Sequence, residues 1–306
     1  MENVDVFDDD SADESEDPSA SNTEFIVQAF RELGYALGMR VFRSHEFSVP
    51  QTRIRVYFIA IRLDVHDLTA SQADEMIERV MDTTDLFKGE PVSLHSLLLP
   101  NNNPRVEQEL RRLSTEDDAV DKTPEQKWKP QHKALLESKG LSWMSLTTPQ
   151  ELEANPWFAT LKRRSKEIII FHGHLTPPPP DKKLCLLDHG QGINRARRMH
   201  NGMCKTVTPG MKAWIFSTGS SEEEADDKRG RQMIGFECLK LQAFPTTWVD
   251  HALPAYAPSE SLLADLAGNA FTGTVFAAVY IALLSHLPPH AQQETVACAD
   301  LMKFMF

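Results

Sequence analysis

Val49-Pro50-Gln51-Thr52-Arg53-Ile54-Arg55-Val56-Tyr57-Phe58-Ile59-Ala60-Ile61 is the stretch on which the reading of this chain turns. Arg55 to Ile61 is rich in β-branched and aromatic residues and predicts a buried strand. Upstream, Phe25, Ile26, Ala29, Phe30 and Leu33 recur at helical spacing, and Gly34 supplies a stop. Met39 to Phe42 predicts a short strand. Helix and strands in this succession predict part of an α/β layered sheet.

Downstream, Leu68 to Val80 predicts a helix capped by Thr69 or Ser71. Pro91 to Pro104 holds a leucine cluster and a turn-rich Asn-Asn-Asn-Pro segment, and Glu107 to Leu113 predicts a short charged helix. Residues 114–133 are polar and predict a loop. Trp143, Trp157 and Phe158 are candidate core anchors, and Glu167 to Phe171 is a candidate strand. Pro177 to Pro180 predicts a stiff linker, and Ser220 to Arg231 a second charged loop. Clear apolar order returns from Gly235 to Ser285. The most apolar run, Ala270 to Leu284, is shorter than the roughly 20 residues that a membrane span needs, so it predicts a buried helix and no membrane partner.

Composition excludes several classes. The 306 residues are 41% hydrophobic and 25% charged, which argues against a wholly disordered chain. Four cysteines (Cys185, Cys204, Cys238, Cys298) with no C-x-x-C pair are too few for a disulfide scaffold and favour a reducing compartment. The net charge is −12, but residues 1–24 hold ten acids and no Lys or Arg, so the remainder is close to neutral at −2. The whole-chain charge therefore does not argue against nucleic-acid binding. Residues 8–22, rich in Asp, Glu and Ser, predict a solvated loop.

Four separated segments resemble the cytosine-5 DNA methyltransferase family, in that family's order. They are Glu2-Asn3-Val4, Val49-Pro50-Gln51-Thr52-Arg53-Ile54-Arg55 with its strand, Glu237-Cys238-Leu239-Lys240-Leu241-Gln242-Ala243-Phe244-Pro245, and Ala267-Gly268-Asn269-Ala270-Phe271. They are similar to the family's Glu-Asn-Val, V-P-Q-x-R-x-R, E-x-x-R-L-Q-x-F-P and G-N-x-V motifs. Lys240 stands where the family usually has Arg, and Ser48 where Gly is common.

The resemblance implies an α/β fold: an incomplete Rossmann-like methyltransferase sheet with an irregular target-recognition region inserted. Residues 1–66 would be the C-terminal part of the catalytic core, 67–230 the target-recognition region, and 231–306 the return to the core with its last helix. It also implies S-adenosylmethionine as methyl donor, double-stranded DNA as partner, and the nucleus or another DNA-containing, intracellular compartment.

The family's reaction acts on a flipped-out cytosine. A cysteine thiolate adds to carbon 6, which makes carbon 5 nucleophilic enough to take a methyl group. Charge develops toward nitrogen 3 and oxygen 2, and a carboxyl at nitrogen 3 relieves it. By resemblance, Glu2 is that carboxyl, and Asn3 fixes its loop. Arg55 reaches the cytosine oxygen, while Arg53 supports the loop or a phosphate, work for which a planar guanidinium fork is suited. Gln51 orients the arginines. The alternatives are a solvated terminal acid at Glu2 and surface ion pairs at both arginines.

Gly268 and Asn269 correspond to the turn on the cofactor pocket and, alternatively, to a helix N-cap. The basic clusters Lys162-Arg163-Arg164-x-Lys166 and Arg195-x-Arg197-Arg198 with Lys205 are candidate phosphate contacts or solvated surface. Thr206-Val207-Thr208 resembles the Thr-rich segment that precedes the family's Leu-Gln motif, and Thr206 and Thr208 are taken with the DNA-binding set.

The departures shape the functional expectation. No cysteine follows a proline, and no F-x-G-x-G turn is present. No nucleophile is therefore assigned. The chain is expected to be a fragment inactive alone, needing an upstream segment or a partner subunit. A non-catalytic DNA-binding or interaction protein is the rival. Cys185-x₃-His189 and His200-x₃-Cys204 offer two Cys and two His, but without a knuckle-type cysteine pair. No metal is expected.

Overall fold

A computed structural model describes residues 22–115, 124–142, 148–172, 184–196, 198–199, 202–217, 230–245 and 258–287. Glu2, Asn3, Trp143, Pro177 to Pro180, Arg197, His200 and Cys298 lie outside the described residues, as do the side chain of Cys185 and nearly all of both acidic loops. In chain order the longer elements are α1 (Asn22–Glu32), β1 (Tyr35–Arg43), β2 (Ile54–Arg62), α2 (Ala70–Asp85), α3 (Pro104–Thr115), α4 (Glu125–Ser138) and α5 (Arg163–Ile170). They continue with β3 (Leu184–Asp188), β4 (Arg198–Met199), β5 (Ala213–Ser217), β6 (Arg231–Gln232), α6 (Gly235–Lys240), α7 (Glu260–Asn269) and α8 (Gly273–His286). Helices and strands are thus mixed, as an α/β chain requires.

The chain divides into two compact units. The first takes its described residues from 22–49, 53–91 and 271–287, the second from 50–52 and 92–270.

In the first unit β1 and β2 pair antiparallel from Tyr35↔Arg62 to Arg43↔Ile54. The two-residue period of a strand puts Tyr57, Ile59 and Ile61 on the buried face of β2 and Phe58 on the other. Against that face pack Ala73, Met76, Ile77, Val80 and Met81 of α2, with Val275, Ala278 and Ala282 of α8 in the same core. Helix α2 begins at a capping box: the Thr69 hydroxyl accepts from the Gln72 N–H, and the Gln72 side chain accepts from the Thr69 N–H. Of the two cap candidates, Thr69 is the cap.

The α8 helix corrects one expectation. Phe271, Phe276 and Leu284 are exposed, so only one stripe of this apolar segment is core. A helix apolar all round carries no polar face to say which stripe packs. A further correction concerns its start. Asn269 is the last residue of α7, and Thr272 is the N-cap position of α8, so Asn269 is not an N-cap. Among the described residues, no single helix is long and apolar enough to cross a membrane.

The second unit holds a four-stranded antiparallel sheet in the order β4-β3-β5-β6. Its core includes Leu186, Leu187, Trp214 and Ile215 of the sheet together with Ile168 and Ile169. These last two correct another expectation: residues 163–170 are helix α5, not a strand. Three consecutive isoleucines favour a strand locally, but burial against the sheet decides, and tertiary context overrides propensity. The polar loop expected over 114–133 is likewise corrected in its second half, where α4 runs. Trp128, His132 and Leu136 recur every fourth residue along its buried face. Pro130 inside that helix is what hides the pattern.

The close approach of β1 to α2 is set at Gly38, where an added Cβ would lie 2.3 Å from Cγ2 of Ile77. Gly38→Val is therefore expected to destabilise the fold by about 2 kcal/mol through overpacking, read as a lower urea midpoint at unchanged slope.

Candidate functional site

In the second unit, the side chain of Gln51 is fully buried. Its Nε2 donates to the Leu241 carbonyl at 2.8 Å, and its Oε1 accepts from the Val207 N–H at 3.4 Å. On either side, the Cys204 N–H donates to the Pro50 carbonyl at 2.7 Å, and the Thr52 N–H to the Cys204 carbonyl at 2.9 Å. The Thr206 hydroxyl donates to the Thr52 carbonyl at 3.3 Å. Thus Pro50 to Thr52 lies bonded along Cys204 to Val207, more than 150 residues away in sequence.

The bonding continues through Gln242, also fully buried, whose Nε2 donates to the Ala267 carbonyl at 2.9 Å. Beside it, Ala243 sits in the left-handed region at φ 54, which closes the turn after α6. Next to Ala267, Gly268 meets the backbone of Thr208 and Pro209. A Cβ there would come within 2.1 Å of the Pro209 nitrogen, so only glycine fits. Three of the four resembling segments and the Thr-rich stretch therefore meet in one buried hydrogen-bonded set.

Glu237, which opens the third segment, has a partner that no sequence motif names. Arg231 on β6 donates to both its carboxylate oxygens, at 2.6 and 2.9 Å, and both side chains are wholly buried. Glu237 also accepts from the N–H groups of Leu99 and Ile234, and Arg231 donates to the carbonyls of Leu99 and Gln232 and to Oδ1 of Asn101. A buried ion pair is tolerable when every lone pair and proton is met in this way. The pair's only trace in sequence is an Arg six residues before the Glu.

In the first unit, Arg53 is buried and its carbonyl accepts from the Ser44 N–H at 2.8 Å. Arg55 is half-buried on the same strand face as Tyr57, and its Nη1 donates to the Ile54 carbonyl at 2.8 Å. Burial pushes the Tyr57 phenol up to about 12, against the opposing pull of the Arg53 and Arg55 charges. Both guanidinium charges thus act at one place.

The DNA-contact candidates are less uniform. Arg195 is exposed, and the Lys205 ammonium donates to its carbonyl at 3.2 Å. Arg198 lies on β4 opposite Leu187. The Thr206 hydroxyl is committed to Thr52, and the Thr208 carbonyl accepts from Met211. In the other basic cluster, Arg163 pairs with Glu167 at 3.1 Å and Arg164 donates to the Gln191 carbonyl at 2.7 Å.

The profile of the C-5 cytosine-specific DNA methylases matches residues 1–284. The chain belongs to this family of DNA cytosine-5 methyltransferases. A curated relative is the DNA (cytosine-5-)-methyltransferase DMT5 of Cryptococcus neoformans var. grubii serotype A, 26% identical over 282 residues. The match covers 85% of this chain and 11% of that relative, so the chain spans only a small part of the relative's length.

Membership in the C-5 cytosine-specific DNA methylases raises the question of the thiols. Cys204 and Cys238 are free and buried. Burial pushes both thiols well above their ordinary range, with nearby Asp188 adding to it at Cys204 and the Cys204 sulfur at Cys238. A thiol in such surroundings is protonated at neutral pH and is no nucleophile. The putting together of Gly268 and Asn269 was expected to serve the cofactor. In the structure Gly268 packs on Thr208 and Pro209, and the exposed Asn269 amide donates to the Asp265 carbonyl of its own helix at 3.1 Å. These bonds hold a turn. Among the described residues no three His, Cys, Asp or Glu side chains gather closely enough to hold a metal ion.

Two outcomes follow from this geometry. Glu237→Gln leaves the Arg231 charge buried without its counter-ion and is expected to cost about 3–5 kcal/mol in urea unfolding, whereas the exposed Glu78→Gln costs about 0.5 kcal/mol or less. Tyr57 has a folded pKa above its unfolded value of 10, so its stabilising contribution is complete below pH 10 and is lost as pH rises toward 12. Urea midpoints measured across that window should fall less steeply in Tyr57→Phe than in the wild type.

Proposed function

We propose that this chain supplies the later part of a DNA cytosine-5 methyltransferase, and that it acts on double-stranded DNA in the nucleus or another DNA-containing compartment. The observation that carries the reading is the Gln-x-Arg-x-Arg segment. It has the buried Gln51 bonded into the second unit, and Arg53 and Arg55 opening strand β2 with their charges converging at Tyr57. In this reading residues 1–66 and 231–306 belong to an incomplete Rossmann-like catalytic core, and 67–230 form the target-recognition region.

The reaction begins when a thiolate forms a bond to carbon 6 of a flipped cytosine. The electron pair of the 5,6 double bond moves into the ring, toward nitrogen 3 and oxygen 2. Glu2 hydrogen-bonds nitrogen 3, and Arg55 donates to oxygen 2, so both lower the barrier by meeting developing charge. Arg53 and Asn3 hold the surrounding loops, and Gln51 fixes the backbone entering β2. S-adenosylmethionine supplies the methyl group in this family. Gly268 and Asn269 form the turn that packs on its pocket. Arg195, Arg197, Arg198 and Lys205 meet backbone phosphates, with Thr206 and Thr208 in the same DNA-contacting set.

No cysteine of the 306 residues follows a proline, and the two described thiols are buried and protonated. Those observations favour a second reading, a DNA-binding protein of the family that carries out no transfer. Radiolabelled methyl transfer separates the two. These 306 residues alone should give no turnover, and adding a family segment that bears Pro-Cys and F-x-G-x-G should give turnover that Arg55→Ala abolishes. Duplex binding without rescue would favour the binding protein, and robust turnover by the chain alone would sink the incompleteness. Reversing Arg195 and Lys205 to Glu should weaken duplex binding and flatten its log–log salt dependence by about 1 per lost phosphate contact.

A further inference from the structure

Strand β2 has a neighbour on one side only. The sheet of the first unit has two strands, paired residue for residue from Tyr35↔Arg62 to Arg43↔Ile54. Just beyond the ends of that register, the Leu63 N–H donates to the Gly34 carbonyl at 3.0 Å and the Ser44 N–H to the Arg53 carbonyl at 2.8 Å. These two bonds fix the alternation of the antiparallel ladder. The odd-numbered residues of β2 turn their main-chain groups toward β1, so Ile54, Val56, Phe58, Ala60 and Arg62 turn theirs away. Among the described residues no other main chain bonds to this outer edge. The Arg55 guanidinium does reach the Ile54 carbonyl. Strand β1, by contrast, has α1 against it, with Phe30 5.9 Å from Tyr35.

An open edge of this kind is normally blunted by Lys, Pro or a bulge, because it templates pairing with another chain. The β2 edge has none of these. Four of its five outward residues are apolar, with Phe58 43% exposed and Ile54 and Ala60 exposed beside it. Arg62, at its end, is held by Asp64 at 2.7 Å. A second observation lies on the helical side of the sheet. Phe271 stands 5.7 Å from Tyr57 of β2, and Phe276 and Tyr280 continue the row along α8, stacked at 6.0 Å. Phe271 and Phe276 are 56% and 49% exposed. Helix α2 packs beneath β1, where Gly38 meets Ile77, so this aromatic row belongs to the β2 side of the layer.

We propose that β2 is the two-fold interface of a homodimer, in which the β2 edges of two copies of this chain pair antiparallel and join their sheets into one. The edge is self-complementary in one register. With Phe58 opposite Phe58 of the second copy, Val56 meets Ala60 and Ile54 meets Arg62. Every outward residue then faces another outward residue, and each such pair exchanges two N–H···O bonds. A slip of two residues leaves outward groups unmet at both ends. No like charges meet, since Arg62 falls opposite Ile54 and Arg55 opposite Ile61. The two-fold axis runs perpendicular to the sheet, so α8 of both copies lies on one face and the aromatic rows approach each other. At about half of the 150–250 Å² that an aromatic ring buries, Phe58, Phe271 and Phe276 alone offer about 300 Å² per copy. With the edge main chain, Ile54, Ala60 and Leu284 added, the patch is on the order of the 800 Å² per partner of a stable interface. An isologous contact of this kind closes the open edge in both copies.

Sedimentation equilibrium of the full chain should give twice the chain mass. Phe58→Lys places a charge on the two-fold axis and should raise the dimer Kd at least about tenfold. Ala60→Pro guards against misfolding: it removes an N–H that points away from β1, which an edge strand tolerates. It should weaken the dimer as much while near-UV circular dichroism keeps its wild-type form. Cysteine cross-linking reads the register. Above the wild-type background, Phe58→Cys should form an intermolecular disulfide on oxidation, whereas Val56→Cys and Ala60→Cys should do so only when the two variants are mixed. A monomeric wild type would overturn the proposal, as would a dimer that both Phe58→Lys and Ala60→Pro leave intact, or Val56→Cys cross-linking with itself faster than Phe58→Cys. So would a family segment bearing F-x-G-x-G that displaces the dimer into a one-to-one complex sensitive to Ala60→Pro, because the edge would then belong to a different strand. None of these outcomes measures methyl transfer, so the dimer can fail while the methyltransferase reading stands.

Discussion

A fully buried carboxamide has to find its partners inside the protein, and the second unit is arranged around two of them. Gln51 needs the Leu241 carbonyl and the Val207 N–H, and Gln242, the next residue after Leu241, needs the Ala267 carbonyl. Because an unmet buried polar group costs far more than a typical bond gains, these amides fix where four distant stretches of chain lie. Gly268 then has to be glycine, since the turn it occupies is pressed against Thr208 and Pro209. Segments that resemble the motifs of an active site thus have a structural duty that precedes any chemistry.

The same economy of buried polar groups recurs with charge. Arg231 and Glu237 are kept in the interior by a closed ring of bonds to each other and to backbone on both sides. Arg53 and Arg55 are different. They stand at the opening of β2, one buried and one half-buried, and both act on Tyr57. Charge held that close to a low-dielectric wall interacts strongly with whatever approaches it, which is what a transition state with developing negative charge requires.

Much of the first unit was legible in the sequence, because Arg55 to Ile61 and Met39 to Phe42 carry strand-forming residues and the segment after Thr69 carries a helical period that matches its burial, although nothing in the two apolar strand runs marked Met39 and Phe58 as exposed. The misreadings have physical causes. Ile168 to Ile170 carries a strand's residue types within a helix whose face is chosen by the sheet beneath it. The α4 helix conceals its stripe of Trp128, His132 and Leu136 behind Pro130, and α8 is so uniformly apolar that its exposed Phe276 could not be told from its buried Val275. Gln51, Arg53 and Arg55 were singled out by resemblance, and the structure adds the bonds of the Gln51 amide and of the Arg55 guanidinium. Arg231 was missed because a buried ion pair six residues apart leaves no periodic mark. His189 entered only as a candidate zinc ligand, because the burial of an imidazole is a property of three dimensions.

The claim that the dispersed motif residues form one coupled framework is tested most directly by a double-mutant cycle on Gln51→Leu and Gln242→Leu, read as urea unfolding free energies. The account predicts that each single change costs about 1–3 kcal/mol and that the double change departs from their sum by at least about 0.5 kcal/mol, because both amides anchor the Leu241–Gln242 turn. Additivity within about 0.3 kcal/mol, with either single change near neutral, would contradict it.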